Sequence, residues 1–170
     1  MLTVELGALL HDIADSKFHN GDEEIGPHTA KIFLESLRIN QNIISHVTNI
    51  IKHISFKGGN YQSSWKSTEL GVVQDADRLD AMGAIGVART FSYGGFKGRE
   101  IYNPQIKPNL HMTKEQYKHS TGTTINHFYE KLLLLKDRMN TTMGRQIAIH
   151  RHQYMEEFLK EFLEEWSGKY

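Results

Sequence analysis

Ala8-Leu9-Leu10-His11-Asp12-Ile13-Ala14-Asp15-Ser16-Lys17, read together with Gln74-Asp75-Ala76-Asp77-Arg78-Leu79-Asp80-Ala81, decides how this chain is understood. In both stretches an apolar helical run is interrupted by side chains of the kind that bind metals. His11 and Asp12 close a string of leucines. Asp77 and Asp80 follow Val73 by four and seven residues, which places all three on one helix face. A carboxylate on an apolar face is costly unless it is paired or binds an ion. The two intrusions are 65 positions apart, counted from Asp12 to Asp77.

Outward from the first stretch, Leu2, Leu6, Leu9 and Ile13 recur at helical spacing and predict an amphipathic helix from the first residue. Residues 15–27 have loop composition, and Pro27 suits the first turn of a second helix whose inner face is Ala30, Phe33, Leu34 and Leu37. Asn40 to Asn42 make a break. Ile43, Ile44, Val47, Ile50, Ile51 and Ile54 then form a third helical stripe, with period 3.6 fitting better than period 2. Lys57 to Asn60 read as a turn, and a fourth helix is expected from about Ser67 to Met82.

Beyond the second stretch, a short helical piece is expected around Ile85 to Phe91. A long aperiodic connection over 95–119 has the character of a lid or binding loop. Ile125, Phe128, Leu132, Leu135 and Met139 mark one further helix. Met143, Ile147, Tyr154, Phe158, Phe162 and Trp166 mark another, with Asn140-Thr141-Thr142 supplying its N-cap. Six or seven helices without a convincing strand predict a single all-α bundle over residues 1–170.

Composition narrows the chemistry. The 170 residues carry 20 basic and 20 acidic side chains, which argues against a nucleic-acid surface or an anionic-membrane partner. There is no cysteine, so thiol catalysis is excluded and any metal is held by nitrogen and oxygen. No apolar run reaches the ~18 residues of a membrane span. Met1 to Leu10 lacks a basic leader region and a cleavage site, so a cytoplasmic location is expected. No phosphate-binding Gly-rich loop or serine nucleophile elbow is present.

The segments Leu-Leu-His-Asp-Ile, Gln-Asp-Ala-Asp-Arg-Leu-Asp-Ala-Met-Gly-Ala-Ile-Gly and Ala-Arg-Thr-Phe, with Asn126 to Leu132 and Met139-Asn140-Thr141, resemble a small bacterial branch of the HD-domain superfamily of metal-dependent phosphohydrolases. The likeness runs from about residue 5 to residue 166. It implies an HD-like helical bundle. His11 and Asp12 would be the central ligand pair and Asp77 the distant ligand, because the family pattern places that ligand after an Ala and three residues before a second Asp. The family's isolated first His has no counterpart before His11. The expectation is therefore an N-terminally incomplete domain, with a decayed site as the alternative.

The same resemblance makes His28 and His53 candidates for a second metal or a phosphate contact; the alternative is a helix-end histidine bonded to backbone. His46 reads as ordinary surface. Lys17 could reach a phosphate or pair with Asp15. Asp80 could orient a ligand or a water, or form an ion pair. Arg89 and Lys131 could neutralise substrate charge or serve structural ion pairs. The implied cofactor is a divalent ion (Mn, Mg, Fe, Co or Zn), and the implied substrate is a nucleotide or related phosphate ester. Release of pyrophosphate from a nucleoside triphosphate is one possible reaction. Phosphomonoesterase or phosphodiesterase chemistry at the same site, or nucleotide binding without catalysis, are the alternatives. Self-association through an exposed apolar face is also open.

Overall fold

A computed structural model describes residues 1–55, 64–113, 116 and 120–169, except for the side chain of Lys17. The expected Lys57 to Asn60 turn lies outside the described residues. Among the described residues there are seven α-helices, two 3-10 helices and no strand. Those up to Gln74 form one compact unit and those from Asp75 onward form another.

The first unit contains α1 (Leu2–Leu10), α2 (Ile25–Ser36), α3 (Gln41–His53) and the start of α4 (Thr68–Asp80). Its core is Leu10, Ala30, Leu34, Ile44, Val47 and Ile51, one apolar stripe from each of α1, α2 and α3. Burial of each such Leu or Ile contributes roughly 1.5–3 kcal/mol. Ile50, Ile54, Leu70 and Val73 form a second cluster, which Val4 and Trp65 flank. A break falls at Asn40, as expected, and Asn40 also caps α3 by accepting from the Asn42 amide at 2.9 Å. The helix of α1 is where it was expected, but its buried face is not. Leu10 and Gly7 are buried, whereas Leu9 is 79 % and Leu2 45 % exposed. The reason is Gly7: a Cβ there would lie 3.3 Å from Ile50, so α1 packs on α3 through its glycine side.

The second unit holds the end of α4, then α5 (Gly83–Phe96), α6 (Thr124–Glu130), a 3-10 helix (Leu132–Arg138) and α7 (Thr142–Trp166). Gly83, at φ +68°, turns the chain from α4 into α5. The helix α5 runs five residues past Phe91, because Gly94 is buried within it: a Cβ there would lie 2.3 Å from Thr124 Oγ1 at the start of α6. The single helix expected over Ile125 to Met139 is interrupted at Lys131 (φ −139°, ψ −61°) and continues as the 3-10 helix. Leu132 and Leu135 are both buried, and a spacing of three stacks them on one side of a 3-10 turn. Phe91, Phe128 and Phe158 meet at ring distances of 5.7–6.0 Å, and Phe162, Tyr102 and Trp166 extend that aromatic core.

Candidate metal centre

His11 is the C-cap of α1 and remains helical (φ −59°, ψ −30°), so its ring folds back along the helix. Its Nδ1 lies 2.7 Å from the Ala8 carbonyl. A carbonyl only accepts, so Nδ1 carries the proton and Nε2 is the basic nitrogen. Nε2 lies 3.3 Å from Asp12 Oδ2. Two ligand atoms bonded to one cation at ~2.1 Å are roughly 3.0 Å apart at octahedral angles and roughly 3.4 Å apart at tetrahedral angles. The His11–Asp12 pair therefore fits one edge of a divalent-ion shell. The backbone bond to Nδ1 is the usual device that fixes the tautomer of a metal-binding histidine. Among the described residues, no three His, Asp or Glu side chains are gathered into a metal-binding group.

Within the first unit, His28 is exposed on the first turn of α2. It lines an open depression of ≈ 610 Å³ with Lys31, Thr48 and Lys52. Lys52 is paired there with Glu24 at 2.6 Å. His53 ends α3 and stacks on Trp65 at 5.7 Å. His28 and His53 thus have different surroundings. Lys17 belongs to a 3-10 helix (Ser16–Phe18), and its side chain lies outside the described residues. His46 is not the ordinary surface residue expected: it is half-buried, its Nε2 is 2.9 Å from Ser67 Oγ and 3.4 Å from Glu69 Oε2, and Trp65 meets it edge-on. Ser67 Oγ also accepts from the Leu70 amide, so this group holds the start of α4. A hydrogen bond from Glu69's own backbone amide, helped by His46 and Ser67, keeps the Glu69 carboxyl below its ordinary range.

On α4 the burial pattern corrects the expectation that Asp77 and Asp80 intrude on the apolar face with Val73. Leu70, Val73 and Gln74 are buried, whereas Asp77 and Asp80 are exposed. The Gln74 side chain donates to the His53 carbonyl at 3.0 Å and so marks where α3 ends. The acid that α4 does bury is Asp75, at 3 % exposure. Its Oδ1 accepts from the Asn140 amide (2.8 Å) and Asn140 Nδ2 (3.0 Å); its Oδ2 accepts from the Thr141 amide (2.7 Å) and Thr141 Oγ1 (2.8 Å). Thr141 in turn caps α7 by accepting from the Gly144 amide at 2.9 Å. Sequence reasoning named the N-cap and missed the acid that anchors it. No local signal marks it, because the donors that a buried carboxylate needs lie 65 and 66 positions further along the chain.

Arg78 lies 3.9 Å from Asp75 and donates to the Arg138 carbonyl; burial, the largest influence, lowers its affinity for its proton. Asp80 and Arg89 are brought together as an exposed ion pair. Lys131 is half-buried at the junction between α6 and the 3-10 helix.

An HD pair closing the first helix, followed by an Ala-Asp-x-x-Asp-Ala helix in an all-α chain, defines an HD-type domain. The HD domain family model matches residues 1–82, and the chain belongs to the HD-domain superfamily. It is similar to the YpgQ protein of Bacillus subtilis, at 32% identity over 99% of this chain and 74% of that one. Two solved structures are also similar. A Lactobacillus plantarum protein superposes with a TM-score of 0.79 at 41% identity, covering 95% of this chain and 74% of its own. An HD-superfamily hydrolase of Bacillus thuringiensis gives 0.70 at 44% identity, covering 97% and 73%. YpgQ has also been solved in complex with ADP; that structure gives a TM-score of 0.69 at 30% identity, covering 96% and 75%. Among the described residues, no helix is long and apolar enough to cross a membrane.

Proposed function

We propose that this chain is a metal-dependent phosphohydrolase acting on a nucleotide, with His11, Asp12 and Asp77 as protein ligands to a divalent ion. The observation that carries this reading is the His11–Asp12 pair, with Nδ1 tied to Ala8 and Nε2 3.3 Å from the Asp12 carboxylate. The family match over residues 1–82 spans all three ligands, which supports taking Asp77 as the third. The nucleotide part rests on the YpgQ–ADP complex. A nitrogen and oxygen donor set suits Mn, Mg, Fe, Co or Zn.

When bound, the ion supplies a water of lowered pKa and neutralises phosphoryl oxygens. The chain's own residues do the rest. His11, with its tautomer fixed, presents a neutral nitrogen donor and Asp12 an anionic one. Asp80 orients the attacking water and accepts its proton, its carboxylate held by Arg89. Arg89, Lys131 and Lys17 hold phosphate oxygens as charge develops. His28 and His53 are candidates for a second ion or for phosphate contact. Our reading of the reaction is release of pyrophosphate from a nucleoside triphosphate.

A Mn-supplemented panel of nucleoside triphosphates, monophosphates and cyclic nucleotides tests this by product analysis. Pyrophosphate and a nucleoside monophosphate are expected. Free phosphate or a linearised cyclic nucleotide would reassign the reaction on the same site. Nucleotide binding without turnover would make the chain a binding module.

A further inference from the structure

The geometry assigns Asp75 a positioning role for Asp77, two residues further along α4; this inference rests on the reading of Asp77 as a metal ligand. Asp75 is not itself available to an ion, since both of its oxygens are taken. Four donors from Asn140 and Thr141 converge on them at 2.7–3.0 Å, and the carboxylate is buried. Arg78 backs the same carboxylate while donating to Arg138, at the end of the 3-10 helix. On the other side of Asp77, Arg151 of α7 donates to the Leu79 carbonyl. That carbonyl also accepts from the Met82 amide at 3.0 Å, in the turn that ends α4, so Arg151 ties that turn to α7.

Asp77 is thus bracketed. Two residues before it, α4 is fastened to the N-cap of α7; two residues after it, α4 is fastened again to the body of α7. The bracket is built to close tolerances. A Cβ at Gly144 would lie 2.5 Å from Asp75 Oδ2 and 2.9 Å from Thr141 Oγ1, so only glycine admits the carboxylate there. The bracket fixes the backbone that carries Asp77, and an open metal shell tolerates little misplacement of a ligand.

The test is Mn2+ affinity, measured by isothermal titration well below each variant's melting temperature, so that only folded protein is sampled. Wild type, Asp77→Ala, Asp75→Asn, Thr141→Val and Thr141→Ser are compared. Thr141→Val keeps the shape and removes the hydroxyl that donates to Asp75 and accepts from the Gly144 amide, so it opens the bracket at one point and serves if Asp75→Asn does not fold. Ile44→Val, a core variant of the first unit, controls for lost stability alone. Partners that hold a metal ligand in place typically carry 10–100-fold in affinity. The expected losses are about 10-fold or more for Asp75→Asn and about 3–10-fold for Thr141→Val, with Thr141→Ser and Ile44→Val close to wild type. Wild-type affinity in folded Thr141→Val or Asp75→Asn overturns the positioning role while leaving the metal reading intact. A wild type that binds no Mn2+, or an Asp77→Ala that binds it equally well, overturns the metal reading and the positioning role with it.

Discussion

Truncation of Asp75 to alanine is expected to destabilise the second unit severely. The carboxylate accepts four hydrogen bonds, two of them from the backbone amides of Asn140 and Thr141, and it lies 3.9 Å from the half-buried Arg78. Hydrogen bonds to a charged acceptor contribute ~1.5–3 kcal/mol each when measured singly, but bonds sharing one acceptor do not add. A better measure is the cost of removing one partner of a buried charge pair, roughly 3–5 kcal/mol. We therefore expect a loss of about 4 kcal/mol, set against a total stability of roughly 5–15 kcal/mol. For a chain of this length that corresponds to a fall in Tm of roughly 8–16 °C. Asp75→Asn keeps one acceptor oxygen but turns an NH2 group towards the Thr141 amide, so its loss is expected to be smaller, about 2–3 kcal/mol. Thermal and urea unfolding followed at 222 nm give both numbers. A Tm drop under ~3 °C for Asp75→Ala, or a larger loss for Asn than for Ala, would refute the bonding account.

Other expectations follow from the same geometry. Gly94→Ala forces a methyl group against Thr124 and should cost about 1–3 kcal/mol; a second substitution, Thr124→Ala, should recover part of it, and additive losses would show that the two sites do not touch. The Glu69 carboxyl lies below its ordinary value near 4.5 in the folded chain, so its contribution is present above that value and lost as pH falls through the lower folded one. Urea midpoints from pH 6 to pH 3 should therefore fall less steeply in Glu69→Gln than in wild type, and parallel curves would contradict the His46–Glu69–Ser67 arrangement. The Asp80–Arg89 pair is exposed, so Arg89→Ala should change stability by less than ~1 kcal/mol. The same substitution should raise the nucleotide KM by about tenfold, a factor that corresponds to ~1.4 kcal/mol; an unchanged KM would remove Arg89 from the substrate contacts.

The helices were legible because each carries a one-sided apolar stripe with a recognisable break, as at Asn40 before α3 and Thr141 before α7. Close approaches were not. Nothing in the spacing of Leu2, Leu6 and Leu9 tells that Gly7, having no side chain, would turn inward and leave Leu9 outside. The division of the expected Ile125–Met139 helix at Lys131 was hidden for a related reason. Leu132 to Leu135 is apolar at every position, so period 3.6 and period 3.0 fit it equally well. In the candidate site, His11 and Asp12 were legible as a pair because they are adjacent and close a helix. Asp75 was not, because its donors lie 65 and 66 positions away, and only the folded chain shows that an acid beside Asp77 is bonded to a distant helix cap. His46 was misread for the same reason: Ser67 and Glu69, which make it a structural residue, lie about 20 positions away at the start of α4.

The most direct measurement of the central claim is Mn-dependent nucleoside triphosphate hydrolysis by the wild-type chain and by Asp77→Ala, with circular dichroism showing that both are folded. The account predicts pyrophosphate release by wild type that disappears on chelation, and a loss of at least ~100-fold in Asp77→Ala, the upper end of what removing a ligand's own supporting contacts would cost. Equal rates in the two proteins, or wild-type turnover untouched by chelation, would contradict it.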